Sequence, residues 1–426
     1  MPDRPLEILI CGAGVAGATL AFTLVRQTGF EIPPSITLIE KSPSPRTTGQ
    51  AVDIREAGVD VIRKLGLEPA IKARHTTETG ISFLNSKGTV AATIAATGDA
   101  QSQSATSEYE ILRGDLAGLL LEGVSDAANN GADVNVVYGE SVESIKERTD
   151  GSGVDVSFAG GKLSRRRFDV VVGADGIASK TRSLMFGKDD WRDEIKPSGL
   201  YIAFFSIPRL PEDDTTWKWC QIAGGLGMHL RPHRSNKTMG CYLTICNSAQ
   251  ARLPELEDVL HQDIAAQKQY LQQHFKDAGW QSQRFLDGLA ATEDFYMSHW
   301  CRVVMPKWVK GHCVILGDAS FATMGIGTSL AMTGAYCIAG ELSKIQSADQ
   351  VPDALQRYEE LFRPYVTKKS PPNAVGMQIA NPQTAWGIWI FQTIFQVIAA
   401  LRVPQLLMRL FGGEGKKTWA LPDYGW

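Results

Sequence analysis

Three glycine-rich stretches, far apart in the chain, each carry or lead to an acid. Each has residue types that could meet part of a phosphorylated, hydroxyl-rich ligand. The first is Gly12-Ala-Gly14-Val-Ala16-Gly17, with Glu40 standing 23 residues beyond Gly17. The first glycine permits a tight turn, and the second lets the backbone approach a pyrophosphate. The third lets a helix pack closely on a strand, so that the helix N-terminus faces phosphate charge. Glu40, followed by Lys41, ends a second strand, where a carboxylate accepts from ribose hydroxyls; an acid there disfavours a 2′-phosphate. The second stretch is Gly173-Ala-Asp175-Gly176-Ile-Ala-Ser179-Lys-Thr-Arg182. It offers backbone donors and a carboxylate at a strand end, with Arg182 available to phosphate charge. A solvated turn capped by Asp175 is the plainer alternative. The third is Leu316-Gly317-Asp318-Ala319, followed by Gly325-Ile-Gly327 and a long helical run. A carboxylate fixed there can hold polyol hydroxyls, and the helix N-terminus can stabilise negative charge on a neighbouring ring.

These residues need elements to hold them. Residues 6–11 are a short apolar run suited to a buried parallel strand, 18–25 continue as an apolar helix, and 36–39 give a second strand. Strand, turn, helix, strand is the context in which the glycine motif acquires meaning. Helices are expected at 58–67, 116–128, 256–274 and 329–343. Strand-like pieces run through 134–138, 141–146, 154–158 and 168–173, and 313–317 returns to the parallel style. Residues 80–96 and 199–246 alternate as sheet strands, including 200–207 and 239–246. A polar stretch at 97–107 reads as a loop.

The chain has 426 residues, 44% hydrophobic and 21% charged, an ordinary globular balance long enough for two or three domains. Its 43 basic and 46 acidic residues, with no long block of one sign, argue against nucleic-acid binding. Seven cysteines without a CxxC pair argue against a disulfide framework and a structural zinc site, so no metal is expected. No secretory signal is read before the first strand, and a reducing, cytoplasmic location is expected. Oligomeric state is not legible.

Together, in this order and spacing, the three stretches resemble the flavoprotein monooxygenases that share the p-hydroxybenzoate hydroxylase fold, to about residue 345. The resemblance implies an α/β architecture. A Rossmann-like FAD-binding domain (1–79, 108–183 and 297–375) would carry an inserted β-rich substrate domain (80–107 and 184–296) and a C-terminal helical segment (376–426). It implies that Gly12, Gly14, Ala16, Gly17, Glu40 and Lys41 bind the ADP half of FAD. Asp175 and Gly176 would serve FAD and a visiting nicotinamide nucleotide. Asp318 would hold the ribitol chain, with Gly325 and Gly327 beyond it. Arg46 is similar to the family's arginine after the ribose acid, and Arg113 to the arginine that touches the flavin chain. Thr48-Gly49-Gln50-Ala51-Val52-Asp53-Ile54-Arg55 resembles the stretch beside the isoalloxazine, most like the tetracycline-inactivating and polyketide hydroxylase branch.

The implied chemistry is specific. NAD(P)H delivers hydride to the flavin, O2 adds to give a C4a-hydroperoxide, and its distal oxygen attacks an electron-rich carbon of a medium-sized phenolic, polyketide-like or other secondary-metabolite substrate. That substrate should sit between flavin and β-rich insertion. Tyr201, Ala203 and Phe205 share one face of their strand and are the pocket candidates; plain core is the alternative. The segment Ala319-Ser-Phe-Ala-Thr-Met324 has no proline where relatives carry one or more. Epoxidation, Baeyer–Villiger oxidation, non-oxygenating chemistry and redox-silent FAD binding therefore stay open.

Other signals carry less. Trp217-Lys-Trp219-Cys-Gln-Ile resembles the tryptophan motif of flavin halogenases, but the expected Ile-Pro does not follow; a strand with tryptophans on one face accounts for it. His229 and His233 are four apart in a strand and turn, so they share no helical face for a metal. Residues 385–401 are apolar, short for a bilayer crossing and followed by Pro404. A packed helix or substrate-side cover is expected. The alternative is peripheral membrane contact, with Arg402, Arg409, Lys416 and Lys417 near headgroups.

Overall fold

A computed structural model describes residues 4–26, 29–46, 49–95, 109–187, 194–370, 375–401 and 419–425. Thr48, the 97–107 loop and the basic residues after 401 lie outside the described residues.

Six strands form the cofactor-side sheet in the order Val309–Lys310, Cys313–Ile315, Val170–Gly173, Glu7–Cys11, Ser35–Glu40, Val134–Tyr138. All pairings are parallel except the first. Their central residues are apolar on both faces because helices cover each side, as parallel sheets require. The chain leaves Glu7–Cys11 toward Ser35–Glu40 and later returns to its other side with Val170–Gly173. Strand order thus reverses at Glu7–Cys11, and a crevice opens at the carboxyl ends on either side. Those ends lead directly into the Gly12, Ala174 and Gly317 turns. This topology explains how stretches more than a hundred residues apart become neighbours.

The second layer is a seven-stranded sheet: Tyr296–Val303, Ile195–Pro208, Thr238–Cys246, Leu226–Pro232, Trp217–Ile222, Gly80–Leu84, Val90–Ala95. Tyr296–Val303 pairs with Ile195–Pro208, so this sheet reaches past residue 297, where the flavin-side segment was expected to resume. The helical run expected at 256–274 divides into Pro254–Leu260 and Ile264–Phe275. Asp263 restarts the helix by accepting from the Ala266 N–H at 2.8 Å. With Ser282–Ala291, these helices cover one sheet face through Leu256, Leu271, Phe275, Phe285 and Leu289.

Two late segments complete the molecule. Helix Val351–Lys369 packs Phe362 and Tyr358 on Trp308, and Trp419 of the C-terminal tail stacks on Tyr365 at 4.6 Å. Helix Ala385–Ala400 docks on the β-rich sheet: Phe391 and Phe395 lie 5.3 and 4.9 Å from Phe83, and Gln392 donates to Leu84 O at 3.0 Å. Of the readings of this segment, a packed helix is the one observed, with its contacts on the β-rich sheet. Among the described residues, no helix is long and apolar enough to cross a membrane.

Candidate functional site

The first turn is built by sterics. Gly12 has φ +108°, a region β-carbon-bearing residues avoid, and a Cβ there would lie 2.5 Å from Ala174 O. A Cβ on Gly17 would lie 1.9 Å from Gly12 O, whereas one on Gly14 would meet nothing within 4 Å. The first and third glycines therefore close the turn, and the second leaves open space before the N-terminus of helix Val15–Arg26. Glu40 braces the turn: Oε2 accepts from Ala13 N–H at 3.0 Å and Oε1 from Ser42 N–H at 2.9 Å. A carboxylate has about four acceptor sites, so both oxygens keep capacity for a ligand. Lys41 and Arg46 are exposed beyond it.

The Asp175 turn differs from expectation. Asp175 Oδ2 accepts from Thr181 N–H (2.9 Å) and Thr181 Oγ1 (3.0 Å), and Oδ1 accepts from the Ser179 hydroxyl. The carboxylate is spent on the start of helix Lys180–Phe186, so the turn presents a ligand with backbone and with the open side of Gly176. Arg182 does not face phosphate either. Fully buried, it donates to Ala319 O (2.8 Å) and Ile177 O (2.6 Å), and burial pulls its pKa down to about 10.

The third turn packs on the first: a Cβ on Gly317 would lie 2.9 Å from Ala16 Cβ. Asp318 keeps solvent access while protein surrounds it on its other sides, the position of a carboxylate on a cleft wall. That burial pushes its pKa up, and the nearby Arg113 charge opposes the rise. A Cβ on Gly327 would lie 3.7 Å from Asp318 Oδ1, and Gly325 borders open space. The stretch after Thr48 closes this side. Gly49 sits on the Arg113 side chain, Arg113 N–H donates to Gln50 O (3.0 Å), and Arg55 N–H donates to Ser329 Oγ (2.8 Å) in the first turn of helix Gly327–Leu342. Asp53 pairs with Arg55 at 2.9 Å. The open space before Gly14, the solvent-facing Asp318 and the uncovered helix N-terminus fit a phosphorylated, polyol-linked cofactor.

The pocket candidates need correction. Tyr201, Ala203 and Phe205 face the helices, not the crevice: Tyr201 Oη donates to Glu257 (2.6 Å), and Phe205 meets Phe285 edge-on at 6.4 Å. Residues alternate along a strand, so the crevice face carries Leu200, Ile202 and Phe204 instead. Cross-strand register lines up Tyr296, Phe204, Tyr242, His229, Trp219 and Phe83 across six strands of this face. Phe204 stacks on Tyr296 and meets Tyr242 edge-on, both at 4.7 Å, and Trp219 lies 4.7 Å from His229. At the cofactor end, Tyr296 Oη donates to the Gln50 side chain, Ala51 N–H donates to Tyr242 Oη (3.2 Å), and Met324 packs against the cluster. Arg113 and Arg46 both bear electrostatically on Tyr296. At the far end stand Phe391 and Phe395.

Sequence reading missed this aromatic floor; the clue was the aromatic content of separate strands once their register is known. It also missed a buried network beside it on the same sheet face. Arg231 donates to both oxygens of Glu78 (2.8 and 2.9 Å) and to Glu110, and lies 4.2 Å over the Trp217 ring.

The chain matches the FAD binding domain family over residues 5–369. It is similar to the FAD-dependent monooxygenase asL6 of Sarocladium schorii, 32% identical over 435 residues and 98% of each chain. It is also similar to monooxygenase CTB7 of Cercospora beticola, 31% identical over all of this chain and 99% of the relative. The crystal structure of tetracycline destructase Tet(55) superposes with a TM-score of 0.73, 27% identity and full coverage of both chains. With the crevice, the three turns and these relatives in agreement, the chain belongs to the FAD-binding flavoprotein monooxygenases of the p-hydroxybenzoate hydroxylase fold.

Proposed function

We propose that the protein uses NAD(P)H and O2 to hydroxylate a flat, electron-rich aromatic substrate, phenolic or polyketide-like, held on the aromatic floor. The observation that carries this reading is the pair of tyrosine hydroxyls that join the floor to the Gly49–Ala51 stretch on the cofactor side, Tyr242 through the Ala51 N–H and Tyr296 through the Gln50 side chain. Bound FAD supplies the redox chemistry: hydride acceptance from a visiting nicotinamide and activation of oxygen. The chain's own residues bind, orient and keep water out. The Gly12–Gly17 turn and Glu40 hold the ADP half, and Asp318 the ribitol chain. The N-terminus of helix Gly327–Leu342 favours negative charge beside it. Phe204, Tyr242, Tyr296, Trp300 and Met324 form an apolar wall that limits water at the reacting edge. The name of the similar tetracycline destructase supports a tetracycline-like, polycyclic substrate.

Mixing purified protein with NADPH or NADH and following the flavin absorbance band tests the reading. Bleaching, then recovery in air with a product heavier by one oxygen, is expected. A flavin that no reductant bleaches with any candidate substrate would favour redox-silent FAD binding. Asp318→Ala should weaken FAD binding about ten- to hundredfold, since it removes charge-assisted hydrogen bonds of about 1.5–3 kcal/mol; equilibrium dialysis reads it, and an unchanged dissociation constant removes Asp318 from the site.

The outward stripe of helix Ala385–Ala400 is proposed as a membrane-surface contact. Trp386, Trp389, Ile394 and Val397 are all more than half exposed, opposite the docked Phe391 and Phe395. Co-sedimentation with phosphatidylserine vesicles should fall in a Trp386→Ser, Trp389→Ser double variant; equal sedimentation of both proteins would remove the contact.

A further inference from the structure

We propose that Trp219, Thr244 and His229 form an oxygen-receiving niche above Gly227, which orients a flat aromatic substrate by taking one of its carbonyl or phenolic oxygens. The inference deepens the monooxygenase reading of the floor and rests on it. Strands Trp217–Ile222, Leu226–Pro232 and Thr238–Cys246 lie side by side, with Trp219 opposite His229 and Gly227 opposite Thr244. All four positions share the face that carries Tyr242 and Phe204. Because residue 227 has no side chain, its neighbours lean over it. A Cβ there would lie 2.4 Å from Thr244 Oγ1, 3.3 Å from His229 Nε2 and 3.4 Å from Trp219 Nε1. Three polar atoms therefore converge on one point of an otherwise aromatic surface.

Their hydrogen bonding is incomplete. An indole nitrogen can only donate, so the Trp217 Nε1 bond to His229 Nδ1 (3.2 Å) fixes Nδ1 as acceptor and leaves the ring proton on Nε2. Nε2 then faces Thr244 Oγ1 at 3.4 Å. Burial, with Arg231 nearby, lowers the His229 pKa to about 3, so the ring is neutral at working pH. Trp219 Nε1 is enclosed and meets no acceptor among the described residues. An enclosed N–H without an acceptor costs about 1–3 kcal/mol, and native interiors seldom leave one. A ligand oxygen would supply the acceptor. The setting selects its type: Trp217 stacks parallel to Trp219 at 5.6 Å, and Phe83 and Tyr242 flank the niche, an aromatic surrounding whose chemistry suits a flat ring. The nearest cation, Arg231, is already matched by Glu78 and Glu110, which favours a neutral carbonyl or phenol over a carboxylate.

The test uses FAD-loaded protein and two probes of one shape, anthraquinone-2-sulfonate and its carbonyl-free counterpart anthracene-2-sulfonate, titrated calorimetrically. The wild type should prefer the quinone about tenfold, the value of one good hydrogen bond. Trp219→Phe, which keeps the ring and removes the N–H, should bring the ratio within about twofold of unity. Gly227→Ala, whose methyl would lie 2.4 Å from Thr244 Oγ1 and push that hydroxyl out of the niche, should do the same. A wild-type ratio near one overturns the proposal. So does a ratio that both variants preserve, the result expected if the niche holds only a structural water. Flavin bleaching by NADPH without either probe reports separately on the monooxygenase reading.

Discussion

Arg231→Ala should lower the stability of the fold by about 3–5 kcal/mol, the cost of stranding buried charge. Arg231 is 7% exposed, and the carboxylates it joins, Glu78 and Glu110, are 5% and 1% exposed. Planar two-point contact to Glu78, a further bond to Glu110 and the Trp217 ring occupy Nε, Nη2 and one face of the guanidinium. Lysine cannot reproduce that fork, so Arg231→Lys should recover only part of the loss. Two acids on one base leave an excess negative charge. Desolvation, against the pull of Arg231 and with Glu78 and Asp53 adding to it, pushes Glu110 up to about 8. A carboxyl whose folded pKa is raised above the ordinary 4.5 stabilises fully below that value and loses the contribution as pH rises through the folded one. Wild-type stability should therefore decline between about pH 5 and 8 relative to Glu110→Gln, which carries no titrating proton there. Urea unfolding of both proteins across that range checks the sign; parallel curves would mean Glu110 does not hold the proton.

Substituting Gly17 and Gly14 should have opposite consequences. Gly17→Ala puts a methyl 1.9 Å from Gly12 O, backbone against backbone, with Ile10 behind it at 3.1 Å. The Gly12 carbonyl is backbone and cannot swing aside, so helix Val15–Arg26 must lift from the sheet. The cost should match or exceed the roughly 1–3 kcal/mol of ordinary overpacking, and the protein should emerge with little FAD. Gly14→Ala meets no protein atom, so circular dichroism and the melting temperature should stay near wild type while FAD affinity falls, because the methyl occupies the approach of the pyrophosphate. If Gly14→Ala keeps full affinity, the pyrophosphate does not lie there.

The turns were legible in the sequence because each is short and its glycines and acids have local jobs. Parallel strands ending in Gly12, Gly173 and Gly317 were legible for the same reason. The face of strand Ile195–Pro208 was not. Leu200, Ile202 and Phe204 are as apolar as Tyr201, Ala203 and Phe205, since helices cover one side and the aromatic crevice the other. Alternation defines two faces without saying which is which. Helices such as Pro254–Leu260 and Ser282–Ala291, which need an apolar sheet face, were the available clue. The Glu78–Arg231–Glu110 network was beyond reach, because its members lie up to 153 residues apart and each alone reads as a surface charge. Asp175 and Arg182 were recognised but misdirected; hydrogen bonds to Thr181, Ile177 and Ala319 take them up locally or beneath the surface.

The Arg182 guanidinium bridges the Asp175 turn and the Asp318 turn through two carbonyl oxygens, from a position without solvent contact. Those two walls must then travel as one block. The opposing wall, Gly49 to Ala51, is held to its own domain by the Arg113 N–H and the Leu112 pairing, but across the crevice only by phenol groups that exchange partners easily. Any breathing that admits or discharges a guest should therefore hinge there, and amide deuteration should be fastest on that side and slowest at Ile177 and Ala319.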